Sequence, residues 1–414
     1  MKKNTVEERD RAREERRGFL EKELRVRTRG WIEEMVNEEL DAALGIGRYG
    51  RSEERCGYRK GKRKRSITTS SGKHEIEMPR GEYFEADADG KKAWSSEIVP
   101  RYRRRTEAVE EALVRAYLGG TNTRRVKQAL APLLGGAALS KSTVSRIVAR
   151  LSGAFEAWRK RDLSEEDIAV VFLDGIHLKM RLGKKVESIP VLAAIGVRAD
   201  GTRVLLTLDV RTSESTAAWS AVTEDLVSRG VTAPVLAVID GNKGLANAVR
   251  QAWPWIDIQR CTKHKLENIA THSPKRRYDE IKEDYHAIVY AEDEPTARKA
   301  YTRFEKKWGK DCPKVVESLC EAGDELLTFL RYPKSLWKML RTTNSIERLN
   351  GEFRRRVKTQ ASLPNTAAGL KLLYGLFAGG LIHLRTITGW RDLPTITQTL
   401  RSKHGLIKTL DNAA

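Results

Sequence analysis

Cysteine is scarce in this chain: Cys56, Cys261, Cys312 and Cys320 are the only four in 414 residues, and no two form a CxxC pair. That excludes the dense disulfide framework on which small secreted domains rely, and it fits a reducing compartment. Long apolar runs are missing too. No stretch approaches the roughly 18 uncharged apolar residues of a membrane-spanning helix, and the opening MKKNTVEERDRAREERRGF has no apolar signal core. The expectation is a cytoplasmic protein, neither exported nor membrane-bound. There is also no P-loop, no dinucleotide fingerprint and no GxSxG elbow, which leaves nucleotide hydrolysis and acyl transfer without support.

Acidic residues are outnumbered. Lysine and arginine total 77 against 56 aspartates and glutamates, giving a formal net charge of +21 that is spread along the chain. A polyanion is the natural partner for such a field. The same charge on a merely soluble or ribosome-associated protein would seldom come with nine tryptophans and several apolar strands, so nucleic acid is the favoured partner and a nucleoid association follows. The length allows two or three domains, since single domains cluster near roughly 100 to 200 residues.

Residues 5 to 45 carry apolar side chains at helical spacing (Leu20, Leu24, Trp31, Met35, Leu40, Leu44), with Thr5 and Glu8 in the form of a capping box. From Tyr49 to Phe84 the text becomes basic and strand-like, with SSGK as the turn of a small hairpin. Residues 106 to 151 hold two helical patterns around a glycine-rich break, TRRVKQALAPLLGG and LSKSTVSRIVARL. In the second, Val144, Ile147, Val148 and Leu151 make an apolar stripe. Lys141, Ser142, Thr143, Ser145, Arg146 and Arg150 are left to face outward. Short polar residues with arginine suit a groove-reading helix of a helix-turn-helix; an ordinary αα-hairpin has the same outline.

Beyond a linker around RKRDLSEED come strand-like runs IAVVFLD, VLAAIGVR and TRVLLTLDV. A helix STAAWSAVTEDLVSRG, a strand APVLAVID, a helix KGLANAVRQAW and a strand WIDIQR follow. Three strands in meander and then strands alternating with helices describe a mixed α/β sheet. Residues 265 to 340 read as wholly helical, an insertion into that sheet domain.

Four Asp-Gly pairs occur, at Asp89, Asp174, Asp200 and Asp240, and Asp-Gly is the strongest short signal for a hairpin turn. Asp200, between two strand patterns, fits a turn, and Asp89 reads the same way. Asp174 differs, because VVFLD is apolar on both faces, as a central buried strand is, and ends in a carboxylate. Asp240 repeats the design in VLAVID and is followed by a helix. Carboxylates at the ends of buried strands suit hard divalent cations, which take oxygen ligands and leave room for phosphate and water. A third carboxylate is then expected. Glu347 in RTTNSIERLNGEFRRRVK is the candidate, although Asn344 three residues earlier gives it the form of a capping-box glutamate, the reading that local pattern alone favours. On that helix Ile346, Leu349 and Phe353 would face a core, leaving Glu347, Gly351 and Arg354 along one flank, a carboxylate beside basic residues that suit a phosphate backbone. Cys261 and His264 have a CxxH spacing, but no second pair stands nearby to complete a tetrahedral zinc site, and a packed cysteine with a hydrogen-bonded histidine is the default.

The ordered series GYRKGKRKRSITTSSGKHEIEMPR, YLGGTNTRRVKQAL, LSKSTVSRIVARL, FLDGIHLKMR, IGVRADGTRVLL, SESTAAW with LVSRG, VIDGNKGLANAV, QRCTKHKLENI and RTTNSIERLNGEFRRRVK resembles the Mutator-type transposases of bacterial insertion sequences over nearly the whole chain. One departure is that MPRGEYFEADADG stands where the family usually runs on in arginines. The resemblance implies a ribonuclease-H-like, retroviral-integrase-type mixed-sheet catalytic core interrupted by a helical insertion. It implies that Asp174, Asp240 and Glu347 match the family's catalytic and metal-binding triad, and that Cys261 and His264 match its CxxH element.

The expected organisation is therefore a helical and basic-hairpin region over 1–100, a helix-turn-helix over 101–160, a catalytic core over 165–264 and 341–414, and a helical insertion over 265–340. The expected activity is two-metal phosphoryl transfer on DNA, with Mg2+ or Mn2+ in its place. Terminal inverted repeats and target DNA are the expected partners, and at least a homodimer is expected because two ends must be joined. A stand-alone nuclease of the same fold and a DNA-binding regulator that cuts nothing are the alternatives.

Overall fold

In a computed structural model, residues 6–51, 55–84, 91–118, 141–358, 363 and 365–406 are described, with backbone alone at 6–10, 114, 116–118, 141–148, 150, 356–358 and 368. The chain divides into two compact units, Met1–Ile147 and Val148–Ala414.

In the first unit a long helix, α1 (Val6–Leu44), lies on an antiparallel hairpin of β1 (Gly57–Thr69) and β2 (Gly72–Phe84), whose end pairs with β3 (Lys91–Ala93). The expected turn falls at Ser70 and Ser71, where Thr69 pairs with Gly72. Of the helical stripe read from the sequence only Leu40 and Leu44 are buried; Leu20, Leu24, Trp31 and Met35 are exposed. Val36, Leu40 and Leu44, four residues apart, form the buried face, and Val36 joins Ile67, Ile76, Met78 and Val99 in a small core. Helix α2 (Glu107–Leu118) follows. Thr5, Asp89 and residues 119–140, which include the glycine-rich break between the two helical patterns, lie outside the described residues.

The second unit begins within α3 (Lys141–Arg159), whose Phe155 and Trp158 rings pack on Tyr374 at 5.5 and 5.0 Å between centroids. Its sheet comprises β4 (Ile168–Leu182), β5 (Lys185–Arg198), β6 (Arg203–Val210), β7 (Leu236–Ile239) and β8 (Asp257–Arg260), in the order β6-β5-β4-β7-β8. The first three run antiparallel as a meander, and β7 and β8 join β4 in parallel. The mixed sheet expected from the sequence is present, and Asp200 does sit in the β5–β6 turn, beside Gly201 at a φ of 79°. Helices α4 (Thr216–Ser228) and α5 (Lys243–Ala252) cover one face. Trp219, Val222, Leu226, Leu245 and Val249 pack there against Val171, Leu173, Ala237 and Ile239.

After β8 the chain runs through α6 (Thr262–His272), α7 (Tyr278–Val289), α8 (Glu294–Trp308), α9 (Pro313–Cys320), two short 3-10 turns and α10 (Lys334–Leu340). It leaves and returns at one place: Thr262 donates from both its backbone N and its Oγ1 to the carbonyl of Arg341, at 2.9 and 3.0 Å. Helix α11 (Asn344–Lys358) then lies against β4 and β5, followed by α12 (Thr366–Ala378) and α13 (Leu393–Lys403). Among the described residues no helix is long and apolar enough to cross a membrane.

Candidate active site

Strand β4 changes character halfway along. Up to Leu173 every residue is buried, because β5 lies on one side and β7 on the other. Beyond Gly175 inward and outward residues alternate, Ile176 and Leu178 buried, His177 and Lys179 exposed. Asp174 stands at that change and is 7% exposed. The expectation that the strand ends at Asp174 is corrected here: β4 continues to Leu182, and what ends is its pairing with β7, at Leu173 opposite Ile239. Asp240 follows Ile239 directly. The parallel register therefore sets the two aspartates side by side, each one residue past the last pair.

Neither glycine of these Asp-Gly pairs makes a hairpin. A side chain at Gly175 would collide with the Glu214 carboxylate, and one at Gly241, whose φ is 122°, with the Arg260 guanidinium. At Gly241 the positive φ itself calls for glycine, whereas at Gly175 a side chain would displace the Glu214 carboxylate from the backbone. Glu214 immediately precedes the N-cap of α4, Ser215, whose side chain accepts from Ala218 N. Asn242 caps α5, accepts from Leu245 N at 3.2 Å, donates from Nδ2 to the Glu214 carbonyl at 3.1 Å and from its backbone N to Asp240 Oδ1 at 2.9 Å. The two helix starts thus bring a fourth carboxylate, Glu214, into the field of Asp174 and Asp240, with His177 Nδ1 3.5 Å from its Oε1.

Helix α11 buries Ile346, Leu349 and Phe353, the face read from the sequence, and leaves Gly351 and Arg354 exposed. Asn350 Nδ2 donates to Asp174 Oδ2 at 2.8 Å, while its Oδ1 is buried without a partner. One turn earlier, the Glu347 carboxylate accepts from Thr343 Oγ1 at 3.1 Å and from Lys263 Nζ at 2.5 Å, with His264 Nε2 3.9 Å away. Cys261, buried, accepts from Thr343 N and Oγ1 at 3.4 and 3.3 Å. Donor atoms of Cys261, His264 and Glu347 lie within 4.8 Å of one another, the one such trio among the described residues. Glu347 is thus drawn toward two basic side chains, whereas Asp174 and Asp240 are gathered at the strand edge. The backbone of Lys141, Ser142, Thr143, Ser145, Arg146 and Arg150 is helical in α3, but their side chains lie outside what is described.

Charge is concentrated here. Burial first, then repulsion from Asp240 and more weakly from Glu214 and Glu347, pushes Asp174 up to about 7, against the opposing pull of His264. Burial, with Asp240, raises Glu214 also, partly offset by His177. The hydrogen bond to Cys261 lifts His264 to about 9 in spite of burial. Burial would push the Cys261 thiol up, but hydrogen bonds from His264 and Thr343 outweigh it and hold it below the ordinary range.

Crowded, part-buried carboxylates with an unpartnered buried amide oxygen are an oxygen-rich set, the chemistry that hard divalent cations take. The trio around Cys261 is softer and suits zinc better than magnesium. Asp174, Asp240, Glu347, Cys261 and His264, singled out in the sequence, all lie in this region, and the structure places Glu214, Asn350, Lys263 and Thr343, which the sequence did not single out, beside them. For Asn350 a signal existed, its position three residues after Glu347 on one helical flank. For Glu214 the only trace was the small residue it needs opposite, Gly175.

This chain belongs to the Mutator family of transposases: the family described as "Transposase, Mutator family" matches residues 2–380. It is 34% identical over 345 residues to the transposase for insertion sequence element ISRM5 of Rhizobium meliloti, covering 83% of this chain and 84% of that one. The transposase for IS6120 of Mycolicibacterium smegmatis is 37% identical over 67% of this chain and 86% of its own. That for IS256 in transposon Tn4001 of Staphylococcus aureus is 31% identical over 78% and 81%. Among solved structures, the Drosophila P element transposase strand transfer complex aligns over 71% of this chain and 85% of that one at 11% identity and a TM-score of 0.30, a likeness too slight to place the fold.

Proposed function

We propose that the chain is a DNA transposase that binds the terminal inverted repeats of an insertion sequence, cuts DNA at the element ends and joins the freed 3′-hydroxyl to target DNA. The observation that carries this reading is the register pairing Leu173 with Ile239, which leaves Asp174 and Asp240 adjacent, with Asn350 of the Glu347-bearing helix bonded to Asp174. A ribonuclease-H-like core is supported by a three-strand antiparallel meander extended by two parallel strands.

Asp174, Asp240 and Glu347 would hold two divalent ions, Mg2+ with Mn2+ as substitute, which when bound supply charge neutralisation at the phosphate and activation of water or hydroxyl. Asn350 fixes the Asp174 carboxylate by its Nδ2. Lys263 and His264 balance Glu347, and exposed Arg354 lies on the same helix to meet a phosphate backbone. Water attacks the phosphodiester in line at the element end and the 3′-oxygen leaves. That hydroxyl then attacks a target phosphodiester by the same displacement. The 101–160 region and the basic hairpin would bind the ends, and two or more copies would pair them. Cys261 and His264 would shape the junction between sheet and inserted helices.

The test is Asp174→Asn, Asp240→Asn and Glu347→Gln, each assayed for nicking of terminal-repeat DNA with magnesium. Cleavage should collapse in all three while DNA binding persists, because most affinity comes from lysine and arginine contacts to phosphate elsewhere. Wild-type nicking by Glu347→Gln would reduce that residue to a helix cap, whose loss costs only about 1 kcal/mol. Arg146→Ala should weaken binding to terminal repeats by about 1–3 kcal/mol if it reads a base; equal losses on random DNA would make it a phosphate contact.

A further inference from the structure

The first unit contains a cavity of about 680 Å³ between β1, the start of β2 and the turn that follows Val99. Seven of its lining residues are lysine or arginine and none is acidic, with Arg63, Lys64, Lys73, Arg101 and Arg104 among them. Basic residues packed this closely repel one another. Burial first, and then Arg63 and Arg104, hold Arg65 below its ordinary range. A fold keeps such a concentration of positive charge where an anion relieves it.

The wall is rigid. Arg65 donates to the carbonyls of Val99, Pro100 and Arg103 at 2.8, 2.5 and 2.5 Å, clamping the turn to the hairpin. Thr68 N donates to Arg104 O and Thr106 N to Thr68 O, at 2.9 and 3.0 Å. At the tip of this fixed turn Tyr102 adopts a φ of 69° and is 85% exposed. A large aromatic held out by a strained backbone over a basic cavity is not there to pack a core.

Duplex DNA shows its bases edge-on within the grooves and gives such a ring nothing to stack upon. An unpaired strand offers both parts at once, phosphates for the guanidinium groups and base faces for the ring. We infer that this cavity binds an unpaired stretch of DNA strand, its phosphates held by Arg63, Arg104 and their neighbours and one base stacked on Tyr102. The inference rests on the reading that the chain acts on DNA, whose strands can part at a nicked element end.

The experiment measures fluorescence anisotropy of a labelled 12-nucleotide oligo(dT) and of a 12-base-pair duplex with the full chain. Tyr102→Asn removes the ring and tolerates the left-handed backbone. It should weaken oligo(dT) binding roughly tenfold or more and duplex binding less than twofold. Tyr102→Phe should retain wild-type affinity. Arg63→Ala with Arg104→Ala should lower the slope of log affinity against log salt on oligo(dT) by about 1.4, the release of two phosphate contacts. Unchanged oligo(dT) binding by Tyr102→Asn, an equal loss on both DNAs, or no oligo(dT) binding by the wild type would overturn the inference. Asp174→Asn separates it from the catalytic reading. Loss of nicking with oligo(dT) affinity intact is expected there. Wild-type nicking by that variant would sink the catalytic reading and leave the cavity result standing.

Discussion

Asn350 holds Asp174 in place: its Nδ2 donates to Oδ2 across 2.8 Å, joining the helix that carries Glu347 to the middle of the central strand. A hydrogen bond to a carboxylate favours its charged form. Asn350→Ala should therefore raise Asp174 further above about 7 and move the acid limb of the cleavage pH profile upward, with a lower rate at neutral pH. Cleavage measured from pH 6 to 9 with magnesium checks this. An unshifted profile would make Asn350 a packing residue only.

Asp174 also predicts how stability depends on pH without metal. Its carboxyl is raised from an ordinary 3.8 to about 7, so between those values the folded chain holds a proton that the unfolded chain has lost. The stabilisation is complete below pH 3.8 and disappears as pH rises through about 7. Asp174→Asn, which never ionises, should be more stable than wild type at pH 8, by at most about 4 kcal/mol. Denaturant melts in chelator at pH 5 and pH 8 test this, and added magnesium should stabilise the wild type and leave the variant unmoved.

Glu214 gives a third prediction. Its carboxylate lies over Gly175 and near His177, in the field of both aspartates. Glu214→Gln should reduce cleavage about 10- to 100-fold, the usual effect of losing a group that supports metal ligands. If it lies outside the working site, the variant will cut at the wild-type rate.

The fourth concerns Cys261 and His264. Their donors lie with Glu347 within 4.8 Å, yet a trio that shares its carboxylate with the catalytic set should not hold a resident zinc. Metal analysis of chelator-washed protein should find none in stoichiometric amount. In Cys261→Ser, His264 should titrate well below about 9, because the hydrogen bond it donates to that cysteine is the main cause of its elevation. Histidine proton resonances across a pH series would report the shift. One zinc per chain, lost in the serine variant, would refute this.

The sheet and both aspartates were legible because VVFLD and VLAVID carry the double-sided apolar run of central strands. Where Asp174 sits along its strand was not legible, since the limit is set by where a partner strand stops. The long first helix misled for another reason: the hairpin, which reaches as far as Thr28, covers one face only, where Ile32, Val36 and Leu40 lie, and Trp31 and Met35 are off that face and exposed. Glu214 and Asn350 escaped because their roles exist only across distant segments, and no local pattern distinguishes a glutamate before a helix cap from any other surface glutamate.

The bond between Thr262 and Arg341 spans 79 positions of sequence. It is one tie among several: Gln259 Nε2 donates to Leu326 O, Thr328 Oγ1 to Ile258 O and Arg260 pairs with Glu321, so the inserted segment grips β8 along its length. Lys263 and His264, the two basic groups beside Glu347, also lie between these anchors, so the start of the insertion is part of the site's surroundings. Because β8 is the last strand of its sheet, the insertion also covers an edge that would otherwise be open to pairing with another chain.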